Sequence, residues 1–173
     1  MHLPSLERGL KLQWHRDLVA NPAAHAWVLN LYRAGERHPE TVDDYFPSHL
    51  SPWAWLSEAL DRHRRDEMRH AAMFATAIRS LDAAVRDDVV DFDVFNEVIR
   101  ACTPAGFRPP PGAPEPQRRE ALAHFLAHAH YLELRVARSL TYHLEACERA
   151  GSRAPARVTA AVLRDESRHA GYT

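Results

Sequence analysis

The stretch Asp66-Glu67-Met68-Arg69-His70 decides the fold, because the chain repeats it as Asp165-Glu166-Ser167-Arg168-His169, identical at four of five positions. In each copy Glu and His stand at i and i+3, where side chains are neighbours on one helix face. A single copy reads as a solvated face with an Asp–Arg pair. Two copies demand another explanation when both lie on apolar stripes and each has a Glu upstream.

Both conditions are met in the pattern. Ser51-Pro52 predicts a helix start, with Ser as N-cap and Pro at N1. The helix runs to about Leu81 with an inward stripe of Trp53, Leu56, Leu60, His63, Glu67, His70, Phe74, Ala77 and Leu81. The second copy lies on a last helix restarted at Pro155, with Thr159, Val162, Leu163, Glu166, His169 and Thr173 in line. Before it, Arg118 to Ala150 predicts a long helix with Leu122, Leu126, His130, Glu133, Ala137, Leu140 and Leu144 inward, closed by Gly151 at C′. Glu133 precedes Glu166 by 33 residues around a tight turn, which brings the two carboxylates near one level.

Glu36 precedes Glu67 by 31 residues and is the matching candidate. Its helix opens at Asn21-Pro22, N-cap then N1, and puts His25, Leu29 and Tyr32 on the same face. Gly35 and Pro39 leave two readings open. Either the helix continues past Gly35, or it stops there and the level opposite Glu67 falls near residues 21–25, where no carboxylate exists. Glu36 is the favoured reading.

The remaining segments frame these hairpins. Residues 5–19 read as an extra N-terminal helix. Residues 85–101 read as a shorter helix carrying Val85, Val89, Phe92, Phe95, Val98 and Ile99, and 103–116 is Pro-rich. Together 82–117 form one long crossover between hairpin 22–81 and hairpin 118–173, all in a single domain over 1–173.

Bulk properties exclude several classes. An apolar content of 46% and a charged content of 26% in 173 residues suit one globular domain. A net charge of −1 gives no reason to expect nucleic acid or an anionic membrane as partner. Two widely spaced cysteines, Cys102 and Cys147, make neither a disulfide framework nor a four-cysteine metal site. Met1 to Leu10 has no signal-peptide core and no 18-residue apolar run exists, so the expected location is cytoplasmic.

Two Glu-x-x-His helices, each paired with a helix giving one further Glu, resemble the ferritin-like di-iron carboxylate superfamily. The resemblance implies an all-α, ferritin-like four-helix bundle and a metal set of Glu36, Glu67, His70, Glu133, Glu166 and His169. It also implies Asp66 and Asp165 as outer residues that orient a metal-bound His, often that of the other motif. Charge supports the set: four carboxylates balance two divalent ions, and two neutral imidazoles complete a compact O and N donor set. Two Fe ions are the expected cofactor; Mn or a mixed pair fits the same ligands.

Activity by resemblance is O2-dependent oxidation of a small substrate, of the oxygenase or hydroxylase type. A separate reductase or ferredoxin would supply electrons, since no Cys-rich domain follows. The alternatives are a rubrerythrin-type peroxidase or ferroxidase, and a non-catalytic helical binding protein with a structural metal or none. His63 and His130 face inward one turn before a ligand Glu and read as outer residues. His49, His124, His128 and His143 read as surface, the Trp53/Trp55 pair as core plus boundary, and Tyr32, Tyr131, Tyr142 and Tyr172 as packing residues. The last helix ends four residues past His169. A partner covering that end, as in a homodimer, or a continuing chain would account for it.

Overall fold

The computed structural model describes residues 3–102 and 109–173; these are mostly helical, with no strand among them. Six α-helices follow in order: α1 Leu3–Ala20, α2 Pro22–Arg37, α3 Ala54–Arg79, α4 Phe92–Cys102, α5 Glu115–Arg149 and α6 Arg153–Tyr172. Helices α2 and α3 pack as one pair and α5 and α6 as another, joined where α3 lies on α6, while α1 packs on α2 and α5. No helix here is long and apolar enough to cross a membrane.

Local chemistry places the helix ends. Asn21 caps α2, its Oδ1 accepting from Ala23 N at 3.0 Å and Ala24 N at 3.1 Å. Gly35 does not end α2; the helix runs on to Arg37 and a 3₁₀ turn follows over His38–Thr41. Pro39 is the breaker, because its ring would clash with the Gly35 carbonyl if the helix continued. Glu36 therefore sits on the last turn, buried at 6% exposure. At the other hairpin Gly151 adopts φ +68°. Ser152 N donates to Cys147 O at 2.9 Å and Gly151 N to Glu148 O at 3.2 Å, a Schellman closure that turns α5 into α6.

Four expectations are corrected. Ser51 does not cap α3: its hydroxyl accepts from Trp53 N in a local turn, and the helix starts at Ala54. Trp53 and Trp55 are both largely exposed rather than core. Residues 85–91 are not helical. Buried Asn30 claims that backbone, accepting from Arg86 N at 2.7 Å and donating to Ala84 O at 3.1 Å, while Asp91 caps α4 through Asp93 N and Val94 N. The buried line of α5 runs through Phe125, Ala129 and Glu133, so His130 lies outside it, exposed, with Nδ1 3.2 Å from Thr173 Oγ1. Of the Pro-rich stretch 103–116, residues 103–108 lie outside the described residues.

The apolar core forms two main clusters at either end of a polar middle. One joins Phe46, Leu50, Leu56, Leu60, Leu122 and Phe125. The other joins Leu29, Phe74, Ile78, Leu140 and Val162. Between them the inward positions of α2, α3, α5 and α6 are filled by carboxylates and imidazoles.

Candidate metal centre

Every one of the six expected ligands is brought together. Glu36, Glu67, His70 and Glu166 form one group of donor atoms within 4.8 Å of one another. His63, Glu67, Glu133 and His169 form a second, sharing Glu67. Glu166 lies between them: its Oε1 is 3.2 Å from His70 Nδ1 and its Oε2 is 3.5 Å from His169 Nδ1. The two donor groups thus share Glu67, and Glu166 reaches a histidine of each.

The two motifs orient each other. His70 turns Nδ1 inward, 3.1 Å from Glu36 Oε2, and Nε2 outward, 3.1 Å from Asp165 Oδ2. His169 turns Nδ1 inward and Nε2 outward, 3.3 Å from Asp66 Oδ2. Each histidine is thus held by the aspartate of the opposite motif. Arg69 ties the pair of aspartates, donating to Asp66 Oδ1 at 2.7 Å and Asp165 Oδ2 at 2.5 Å. Arg168 repeats this from the other side, donating to Asp165 and lying 3.7 Å from Asp66 Oδ2.

His63 is closer in than its sequence position suggests. Nε2 is 3.0 Å from Glu67 Oε1 and 3.2 Å from Glu133 Oε1, and its ring stacks on His169 at 3.6 Å between centroids. Nδ1 is hydrogen-bonded to the Tyr172 hydroxyl. All three histidines therefore share one arrangement: one nitrogen faces the carboxylates and the other has an outer partner. The sequence signal for His63 was its place one helical turn before Glu67. Tyr172, expected only to pack, is that outer partner.

The electrostatics describe a core that resists holding four bare carboxylates. Burial pushes Glu36 up to about 7 and Glu67 up to about 8, with neighbouring carboxylates adding to the rise. Burial and the Glu166 carboxylate push Glu133 up to about 9. Burial opposes ionisation of Glu166 as well, but the protons carried by Glu133, His169 and His70 around it hold it well below the usual range. Burial works against the charged form of His70 and His63, yet their carboxylate partners raise them to about 11 and about 9. Without metal, protons shared among these groups substitute for cations.

The donor set fits a pair of divalent ions. Glu166 Oε1 and His169 Nδ1 are buried without a hydrogen-bond partner, and both point into the cluster. Four carboxylates and three imidazoles are hard-to-borderline donors suited to Fe or Mn. A cleft of about 500 Å³ opens against the centre from solvent, lined by Trp55, Arg62, His63, Arg168, His169 and Tyr172. Comparison with protein-family models, with curated proteins and with solved structures finds no match to this chain.

Proposed function

We propose that this chain is a ferritin-like di-iron carboxylate oxidoreductase that activates O2 against a small substrate held in the cleft beside His63, His169 and Tyr172. The crossed pairing carries the reading: each Glu-x-x-His motif points Nδ1 at the carboxylates while its Nε2 is held by the opposite motif's aspartate. A solvated helix face has no use for that arrangement, whereas metal-bound histidines need an acceptor behind them to set tautomer and direction.

Iron held by these residues would supply the electrons for O2 reduction, with a separate reductase or ferredoxin as their source. The protein's share is positional and protonic. Glu36 and His70 would hold one ion and Glu133, His63 and His169 the other, with Glu67 and Glu166 close to both. On losing its Nε2 proton, His63 becomes a donor to the second position, and its Nδ1–H donates to Tyr172. Burial, with the Glu133 charge nearby, raises the Tyr172 hydroxyl, so it stays protonated at the cleft wall. The second position thereby carries two imidazoles against one at the first, and it is the one the cleft reaches.

The test is oxygen uptake by protein loaded anaerobically with Fe(II) and supplied with a chemical reductant. The intact chain consumes O2 repeatedly and Glu166→Ala does not. Metal bound without any O2 uptake would instead favour a structural centre in a non-catalytic helical protein.

A further inference from the structure

A second cluster of metal-ligating side chains lies apart from the carboxylate centre. His25 on α2 stands opposite His143 and Cys147 on α5, with one donor atom from each within 4.8 Å of the others. All three side chains are buried, Cys147 and His143 at 0% exposure and His25 at 2%, which corrects the reading of His143 as a surface residue. Cys147 Sγ lies 3.6 Å from His25 Nε2. A thiolate and an imidazole bound to one ion at ordinary lengths are separated by about 3.5 Å.

A thiol–imidazole hydrogen bond alone would explain that pair, but it leaves His143 unexplained. Neither ring nitrogen of His143 has a hydrogen-bond partner. Its neighbours are ring edges: His25 at 5.2 Å, Tyr32 at 5.3 Å and His15 at 5.6 Å between centroids. Tyr32 spends its hydroxyl on Ser139 at 3.0 Å. His15, 2% exposed, also leaves Nδ1 without a partner. Leaving such groups buried and unbonded is costly, and a metal ion is one way to satisfy them.

We propose that His25, His143 and Cys147 form a buried site for one soft monovalent ion, Cu(I), with His15 behind His143. Ligand softness and charge choose the ion. Thiolate and imidazole select copper or zinc over the hard cations. Among the described residues no carboxylate shares the cluster. One thiolate with Cu(I) is neutral, whereas with Zn(II) it would leave a net positive charge in the apolar core. Binding displaces the Cys147 proton to solvent and leaves copper's oxidation state unchanged.

The test is an anaerobic titration of the full-length chain with Cu(I) against a chromophoric Cu(I) chelator, followed by X-ray absorption at the copper edge. The expected result is one tightly held copper per chain with one sulfur and two nitrogen neighbours. Cys147→Ser, which keeps a hydrogen-bonding group of similar size, should lower affinity at least 100-fold and remove the sulfur neighbour. Glu166→Ala should change neither. Copper held equally well by Cys147→Ser, no copper retained against the chelator, or Zn(II) displacing Cu(I) at Cys147 would each overturn the proposal.

Discussion

Two buried histidine clusters share the core of this protein and titrate in opposite directions. At the carboxylate centre, acidic partners hold His70 and His63 above the ordinary imidazole range. The His25/His143/Cys147 cluster has no such partner among the described residues. Burial alone pushes His15 and His25 down to about 4, and burial with the neighbouring imidazoles pushes His143 down to about 3. Glu36 and His25 lie on the same helix, about 16 Å apart along its axis at the usual rise per residue. The chemistry of each cluster is therefore set by what the facing helices supply, not by depth in the core. Acidic surroundings with hard oxygens suit a pair of divalent ions, and a lone thiol among neutral rings suits a soft one.

The sharpest way to break this contrast is to remove the crossed aspartates. Asp165→Asn should weaken metal binding 10- to 100-fold at the position held by His70, and Asp66→Asn at the position held by His169. Site-resolved metal titration checks this. If Asp165→Asn weakened instead the position of its own motif, the crossing would carry no function.

Stability against pH separates the two clusters next. Glu36, Glu67 and Glu133 have folded-state values raised above 4.5, and His63 and His70 above 6.5. These groups hold more protons in the metal-free folded chain than in the unfolded one, so the stability they contribute falls as pH rises, from 4.5 for the carboxylates and from 6.5 for the imidazoles, towards 9. The depressed values of His15, His25 and His143 act the other way: their contribution is full above 6.5 and is lost as pH falls towards 4. Between pH 4.5 and 6.5 the three raised carboxylates and the three depressed imidazoles oppose one another, so thermal melts of metal-free protein should show little slope there and a fall above 6.5. Loading divalent metal should flatten the alkaline arm, because the ligands are then held deprotonated.

The smallest effect concerns His143 by itself. His143→Leu removes two buried nitrogens that have no partner. It should stabilise the metal-free chain, or leave it unchanged, within about 1–3 kcal/mol by denaturant unfolding. A large loss would mean that the ring edges around it contribute more packing than the unpaired nitrogens cost.

The same contrast explains what was legible in the sequence. The repeated motif is local, so its helices, inward faces and partner carboxylates follow from spacing, and the crossed aspartates follow from the likeness to ferritin-like proteins. Glu36 was ambiguous because Gly35 and Pro39 each signal a helix end, and only Pro39's clash decides where the turn comes. His130 was misplaced because i−3 and i−4 from Glu133 both approximate one face, and packing chose Ala129. The segment 85–91 reads as helix until Asn30, far away in sequence, takes its backbone. The second cluster was illegible for the same reason. His143 and Cys147 are spaced i and i+4, a faint signal on one helix, but His15 and His25 reach them only through tertiary packing.

The central claim is tested most directly by metal analysis and Mössbauer spectroscopy of the chain loaded anaerobically with Fe(II). The account predicts two irons per chain in distinguishable environments, since one position is served by His70 and the other by His63 and His169. A single metal per chain, or none retained, would contradict it.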